Sequence, residues 1–96
     1  SEEQKAAPRV NSYKLQKEQQ SRLRKASSLV KRLEKEIEEA EREEAEINQR
    51  LSENAADYKQ VMEDSQRLSE LEKLQEELME QWEEAEKTLA ELEKGE

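Results

Sequence analysis

Eight basic side chains near the start of the chain have the residue types and spacing of a surface that binds phosphate groups. Residues 1–35 contain ten basic and four acidic residues, a net charge of +6, although the whole chain carries −9. Lys and Arg bind phosphate oxygens largely without regard to base sequence, so this segment predicts contact with nucleic acid. The eight candidate contact residues are Lys14, Lys17, Arg22, Arg24, Lys25, Lys31, Arg32 and Lys35.

The remaining composition argues against an enzyme. The 96 residues include no Cys and no His, which excludes disulfides, zinc knuckles, cysteine nucleophiles and histidine bases. A single glycine, Gly95, excludes a phosphate-cradling glycine-rich loop. Carboxylates are numerous, but on a solvated helix nothing shifts their pKa values toward acid–base work. We therefore expect no catalytic residue, no cofactor and no metal site in this segment, and its short apolar runs predict no membrane span.

Two apolar ladders with steps of three and four residues must position these bases. Such a mean step of 3.5 residues keeps one stripe of a helix facing a partner helix, as in a coiled coil. The first seam is Leu23, Ala26, Val30, Leu33, Ile37, Ala40, Glu44, Ile47 and Leu51. The second seam is Leu68, Leu71, Gln75, Leu78, Trp82, Ala85, Leu89 and Leu92. Glu44 and Gln75 interrupt the seams and are expected to fix the register, whereas Trp82 is expected to be a large core side chain.

The chain between the seams predicts a turn, which makes the fold an all-α, two-helix antiparallel coiled-coil hairpin. Asn54 and Asp57 favour turns and helix caps in this region. Folding the chain here places Ile47 opposite Leu68 at the tip. At the other end, the apolar stripe of the first helix starts where the partner helix runs out.

The predicted boundaries follow from caps and breakers. Residues 1–11, which contain the only proline, are predicted to be a flexible linker, and residues 12–94 form the hairpin. Helix one is expected at about 12–52, with Ser12 as its N-cap, and the tip at about 53–64. Helix two is expected at about 65–94, with its start placed between residues 57 and 65. Tyr58, Val61 and Met62 are expected to pack over the tip.

The bases have two interpretations within a hairpin. Residues 9–35 would lie beside residues 76–96, which hold nine acids and two bases, so the bases could serve only to select the antiparallel partner helix. Alternatively, they bind phosphate in addition. The tip half, residues 36–75, has a net charge of −8 and should be repelled by bare duplex DNA. Any contact with RNA near the tip would fall to single residues such as Arg50, Lys59 and Arg67.

Several segments resemble the C-terminal coiled-coil domain of ABC-F ATPases, the Uup-type domain. They are Ser12-Tyr13-Lys14, the run 33–38, the tip from Leu51 to Tyr58, and the run Leu78-Met79-Glu80-Gln81-Trp82-Glu83-Glu84. The resemblance covers about residues 12–93. It implies a cytoplasmic parent chain with two ATP-binding cassettes and no membrane domain, acting on the ribosome in translation. In that family the appendage is linked to ribosome contact and, in Uup-type members, to DNA binding.

These observations lead to one principal hypothesis and two alternatives. The principal hypothesis is a non-enzymatic module of an ABC-F protein, a monomeric hairpin that contributes to association with ribosomal RNA or protein. The first alternative is a DNA-binding module of a Uup-type ATPase. The second is a generic protein–protein scaffold that associates with itself through the seams.

Overall fold

The computed structural model of the chain consists of two antiparallel helices packed side by side. It describes the backbone of residues 2–95 and the side chains of residues 11–95. Helix α1 spans Glu2–Glu53 and helix α2 spans Tyr58–Glu93, and no strand occurs between residues 2 and 95. The rod is only 15 × 14 Å across. The predicted all-α helical hairpin is confirmed.

Helix α1 begins earlier than the sequence predicts. Its first residue is Glu2, so Ser12 lies inside the helix and is not its N-cap. The prediction gave most weight to Pro8, whereas residues 2–7 are dominated by Glu, Gln, Lys and Ala, which are among the strongest helix formers. The flexibility predicted for the linker 1–11 concerns residues that lie, apart from Asn11, outside the described side chains, and it stays a prediction.

The tip is shorter than predicted, with only residues 54–57 between the helices. Asn54 closes α1 by donating its N–H to the carbonyl of Arg50 at 2.9 Å. Asp57 is the N-cap of α2, and its carboxylate accepts a hydrogen bond from the N–H of Gln60 at 3.2 Å. Tyr58, Val61 and Met62 belong to the first turns of α2, which starts at Tyr58 and not near residue 65. Tyr58 and Met62 are exposed and do not cover the tip, whereas Val61 is half-buried.

The core is a single file of side chains from the two predicted seams. Its fully buried members are Val30, Leu33, Ala40, Ile47, Leu71, Leu78 and Ala85. Five further seam residues pack against them while partly exposed: Ile37, Leu51, Leu68, Trp82 and Leu89. Trp82 is therefore a core side chain, as predicted, although its buried indole N–H has no partner among the described residues. Two helices can enclose one apolar stripe each, so all other faces remain in solvent.

Polar contacts across the seams fix the register. The two interruptions predicted separately meet each other, since the Nε2 of Gln75 donates to a carboxylate oxygen of Glu44 at 3.1 Å. Nearer the tip, the guanidinium of Arg50 donates two hydrogen bonds to the carboxylate of Asp64, at 3.0 and 2.7 Å. Asp64 is only 3% exposed and also accepts from the Nε2 of Gln60 at 3.0 Å. These contacts exist in only one alignment of the helices, so they exclude a slip by a heptad.

The Arg50–Asp64 contact also changes the pKa of Asp64. Hydrogen bonding from Arg50 lowers the pKa of Asp64, outweighing the opposing effect of desolvation. In the same way, hydrogen bonding from Arg67 lowers the pKa of Glu43 on the exposed flank of the seam. Both carboxylates are thus held in their charged form by a guanidinium on the other helix.

Truncating the centre of the core should destabilise the hairpin strongly. Leu71 is 0% exposed, and Leu71→Ala should lower the free energy of unfolding by about 2–5 kcal/mol. Leu74→Ala removes the same atoms from the same helix at a site that is 36% exposed, and it should cost clearly less. Urea unfolding followed by circular dichroism at 222 nm measures both. Equal losses would contradict the assignment of the core.

The Arg50–Asp64 contact should weaken in acid. The pKa of Asp64 is lower in the folded than in the unfolded state. The contribution of the contact to the free energy of unfolding is therefore complete above the unfolded Asp pKa of about 4, and it is lost as the pH falls through the folded pKa. A double-mutant cycle of Arg50→Gln and Asp64→Asn isolates this coupling from the titration of the other carboxylates. Thermal unfolding at pH 7 should give a favourable coupling that fades below pH 4. A coupling independent of pH would rule out an ion pair.

Candidate nucleic-acid interface

The eight predicted bases lie along α1, and seven of them form rows that point away from α2. Counting heptads from the first seam, the middle of this stripe consists of Lys17, Arg24 and Lys31 in one row and Lys25 and Arg32 in the next. Rows of this kind lie on the outer surface of a coiled coil. Lys14 and Lys35 occupy the third outer row, and Arg22 flanks the seam. All eight side chains are exposed, and we call them the basic stripe.

The described residues of the basic stripe form no ion pair with the acidic residues of α2. Within residues 11–95, the ion pairs closer than 4.0 Å involve only Arg50 with Asp64, and Arg67 with Glu43 and Glu70. The interpretation that the bases only select the partner helix therefore finds no direct contact in its support. For the seven bases of the outer rows the physical reason is their heptad position, because charges that reach the partner helix flank the seam. Arg22 does flank the seam, but no acidic group among the described residues lies within 4.0 Å of it.

The corresponding acids also face outward, from the opposite side of the rod. They are the exposed residues Glu76, Glu77, Glu80, Glu83, Glu84 and Glu91, which we call the acidic face of α2. The basic stripe and the acidic face thus lie on different helices of a rod 15 × 14 Å across.

A shallow groove crosses the middle of the basic stripe. It is lined by Ser21, Arg24, Lys25, Ser28, Leu29 and Arg32, all of them on α1. The two serines are short, so they form its floor while the long cationic side chains form its walls. An arrangement of guanidinium, ammonium and hydroxyl donors around a gap suits an oxyanion such as phosphate.

An aromatic ring lies at the start of the basic stripe. Tyr13 is 63% exposed, and the Nζ of Lys17, one helical turn later, lies 5.6 Å from the ring centroid. Sequence reasoning used Tyr13 only as part of a family resemblance. The four-residue spacing between an aromatic and a cation on one helix face was the available signal.

The bases near the tip have different surroundings. Arg50 and Arg67, two of the residues considered for single contacts with RNA, are held in ion pairs with Asp64 and Glu43 across the hairpin. Their charge is therefore already matched within the molecule. Lys59 is exposed on the first turn of α2. The tip is thus a weaker candidate for phosphate binding than the basic stripe.

Removing charge from the basic stripe should leave the fold intact. The double variant Lys25→Gln/Arg32→Gln alters exposed residues that form no ion pair with another described side chain, so its free energy of unfolding should stay within about 0.5 kcal/mol of wild type. Arg50→Gln is the contrasting variant, since it leaves the buried Asp64 without its ion-pair partner. Thermal unfolding at low and moderate salt measures both. A large loss in the double variant would show that these bases do stabilise the pairing with α2.

Comparison with family models, with curated proteins and with solved structures gives no match to this chain. Within its described residues, neither helix is long and apolar enough to cross a membrane. The case for a function therefore comes from the basic stripe, its groove and its surroundings.

Proposed function

We propose that this chain is a non-catalytic coiled-coil module that attaches an ABC-F ATPase to ribosomal RNA through the basic stripe. The observation that carries the proposal is a set of eight exposed bases, seven of them in the outer rows of α1, that have no ion-pair partner among the described side chains. The resemblance to the ABC-F coiled-coil domain supplies the ribosome as the particular source of RNA, and with it a cytoplasmic location.

The charge distribution supports a single binding orientation. From Lys14 to Lys35 the basic stripe extends along α1 for roughly 32 Å, at 1.5 Å per residue. The acidic face of α2 and the acidic tip half are repelled by phosphate, so the rod would lie with α1 against the RNA and α2 toward solvent. Such contacts hold the module in place without reading base sequence.

Tyr13 supports RNA over duplex DNA as the ligand. Unpaired bases in RNA loops can stack on an exposed aromatic ring, whereas the bases of an intact duplex cannot. Tyr13 lies beside Lys17, so one nucleotide could have its base on the ring and its phosphate near the ammonium group. Duplex DNA has no equivalent use for the ring, and the net charge of −9 opposes general affinity for it.

Reversing three bases tests the proposal. The variant Arg22→Glu/Arg24→Glu/Lys25→Glu should weaken co-sedimentation with purified ribosomes and binding to a ribosomal RNA hairpin. Each lost phosphate contact should reduce the slope of log affinity against log salt by about 0.7–0.9, so three should remove about 2–3. Filter binding over a salt series measures the slope.

The matched control reverses three exposed bases on the outer surface of α2, in the variant Lys73→Glu/Lys87→Glu/Lys94→Glu. It makes the same change in net charge and should bind more tightly than the variant of the basic stripe. Wild-type binding by the basic-stripe variant at every salt concentration would overturn the proposal. A preference for duplex DNA, unaffected by Tyr13→Ala, would favour the DNA-binding alternative. In light scattering, a mass above the 11.4 kDa of one chain would favour the scaffold.

A further inference from the structure

Two serines interrupt the basic stripe at equivalent heptad positions. On a helix the neighbours of a side chain lie three and four residues away in each direction. For Ser28 all four of these neighbours are basic: Arg24, Lys25, Lys31 and Arg32. For Ser21 three of the four are basic, namely Lys17, Arg24 and Lys25, and the fourth is Glu18.

The groove described above gives these serines a physical role. Ser21 and Ser28 line it together with three of the surrounding cations, Arg24, Lys25 and Arg32. Ser28 is exposed, and neither serine hydroxyl has a hydrogen-bond partner among the described residues. By contrast, the hydroxyl of Ser52 donates to the carbonyl of Gln49 at 2.7 Å. The two groove hydroxyls are therefore available to an external acceptor.

We propose that Ser28 forms the floor of a binding site for one backbone phosphate of the RNA, and that Ser21 forms the floor of a second such site. We call each of these sites a seat. The inference rests on the proposed function and names the groups that would contact the ligand. A phosphate above Ser28 would accept a hydrogen bond from the serine hydroxyl below it. It would also accept hydrogen bonds from the N–H groups of Arg24, Lys25 and Arg32 at its sides. Any larger side chain at position 28 would occupy the space that the phosphate needs.

The spacing of the two seats fits a repeating anion. Seven residues on a helix correspond to about 10.5 Å, so the two seats lie about 10.5 Å apart along α1. Both seats are on the same outer row of α1, so one extended strand could follow the helix and occupy both. The ligand class is thus a phosphodiester backbone.

Filling the seat without changing charge tests this inference. Ser28→Leu should reduce affinity for a single-stranded uridine oligonucleotide several-fold and lower the salt slope by about 0.7, the value for one single-strand phosphate. Ser28→Ala keeps the space but removes the hydroxyl donor, so it should lose less affinity than Ser28→Leu. Ser69→Leu makes the same substitution on the exposed outer surface of α2 and should bind as wild type. Circular dichroism at 222 nm checks that the variants remain helical.

The outcomes separate the seat from the proposed function. If Ser28→Leu binds as wild type while Arg22→Glu/Arg24→Glu/Lys25→Glu loses binding, the seat is overturned and the proposed function stands. If both variants bind as wild type, the proposed function fails as well. Equally tight binding of poly-glutamate, with the same loss in Ser28→Leu, would overturn the assignment of the seat to phosphate.

Discussion

The contact between two narrow apolar seams holds this molecule in one shape and decides where every other side chain lies. Leu33 and Leu71 are fully enclosed because each faces the other helix near the middle of the rod. Each helix has only one partner, so burial is confined to a single stripe, and the ends of the seams, such as Leu23, remain partly exposed. The remaining rows of both helices must be compatible with water, which explains a chain that is 45% charged and only 31% hydrophobic.

Apolar contacts alone do not define how the helices align. A shift by seven residues would again place apolar residues opposite each other, because the seams repeat with that period. The directional contacts of Glu44 with Gln75 and of Arg50 with Asp64 are lost in such a shift. The cost would be high for Asp64, since a buried carboxylate without its cation is strongly unfavourable. The short connection 54–57 and the polar groups near it thus set the alignment of the whole rod together.

The sequence predicts the structure best where apolar residues repeat with the heptad period. Spacing alone predicts the buried residues of both seams and the partly buried Trp82 that packs against them, because a heptad pattern leaves few other arrangements. Local signals were less reliable. Pro8 was given more weight than the helix-forming residues before it, and Asp64, interpreted as part of an extended tip, is the partner of Arg50 within α2. A single-sequence pattern does not show which charge on the other helix will satisfy a carboxylate.

The same heptad count also predicts that most of the bases lie on the outer surface of α1. The net charge of the segments does not show this, because it ignores which face each residue occupies. Segment charges of opposite sign suggested neutralisation between the helices, but charges add across a helix pair only when they flank the seam or lie within about a Debye length. Apart from Arg22, the basic stripe lies in the outer rows of α1 and the acidic face in the outer rows of α2, and no ion pair joins them among the described residues. The molecule is therefore polarised across its width and not neutralised. A polarised rod near an RNA surface experiences attraction on one side and repulsion on the other, so electrostatics would orient it before any contact forms. If the module binds RNA as proposed, the acidic residues would contribute by excluding the wrong orientation.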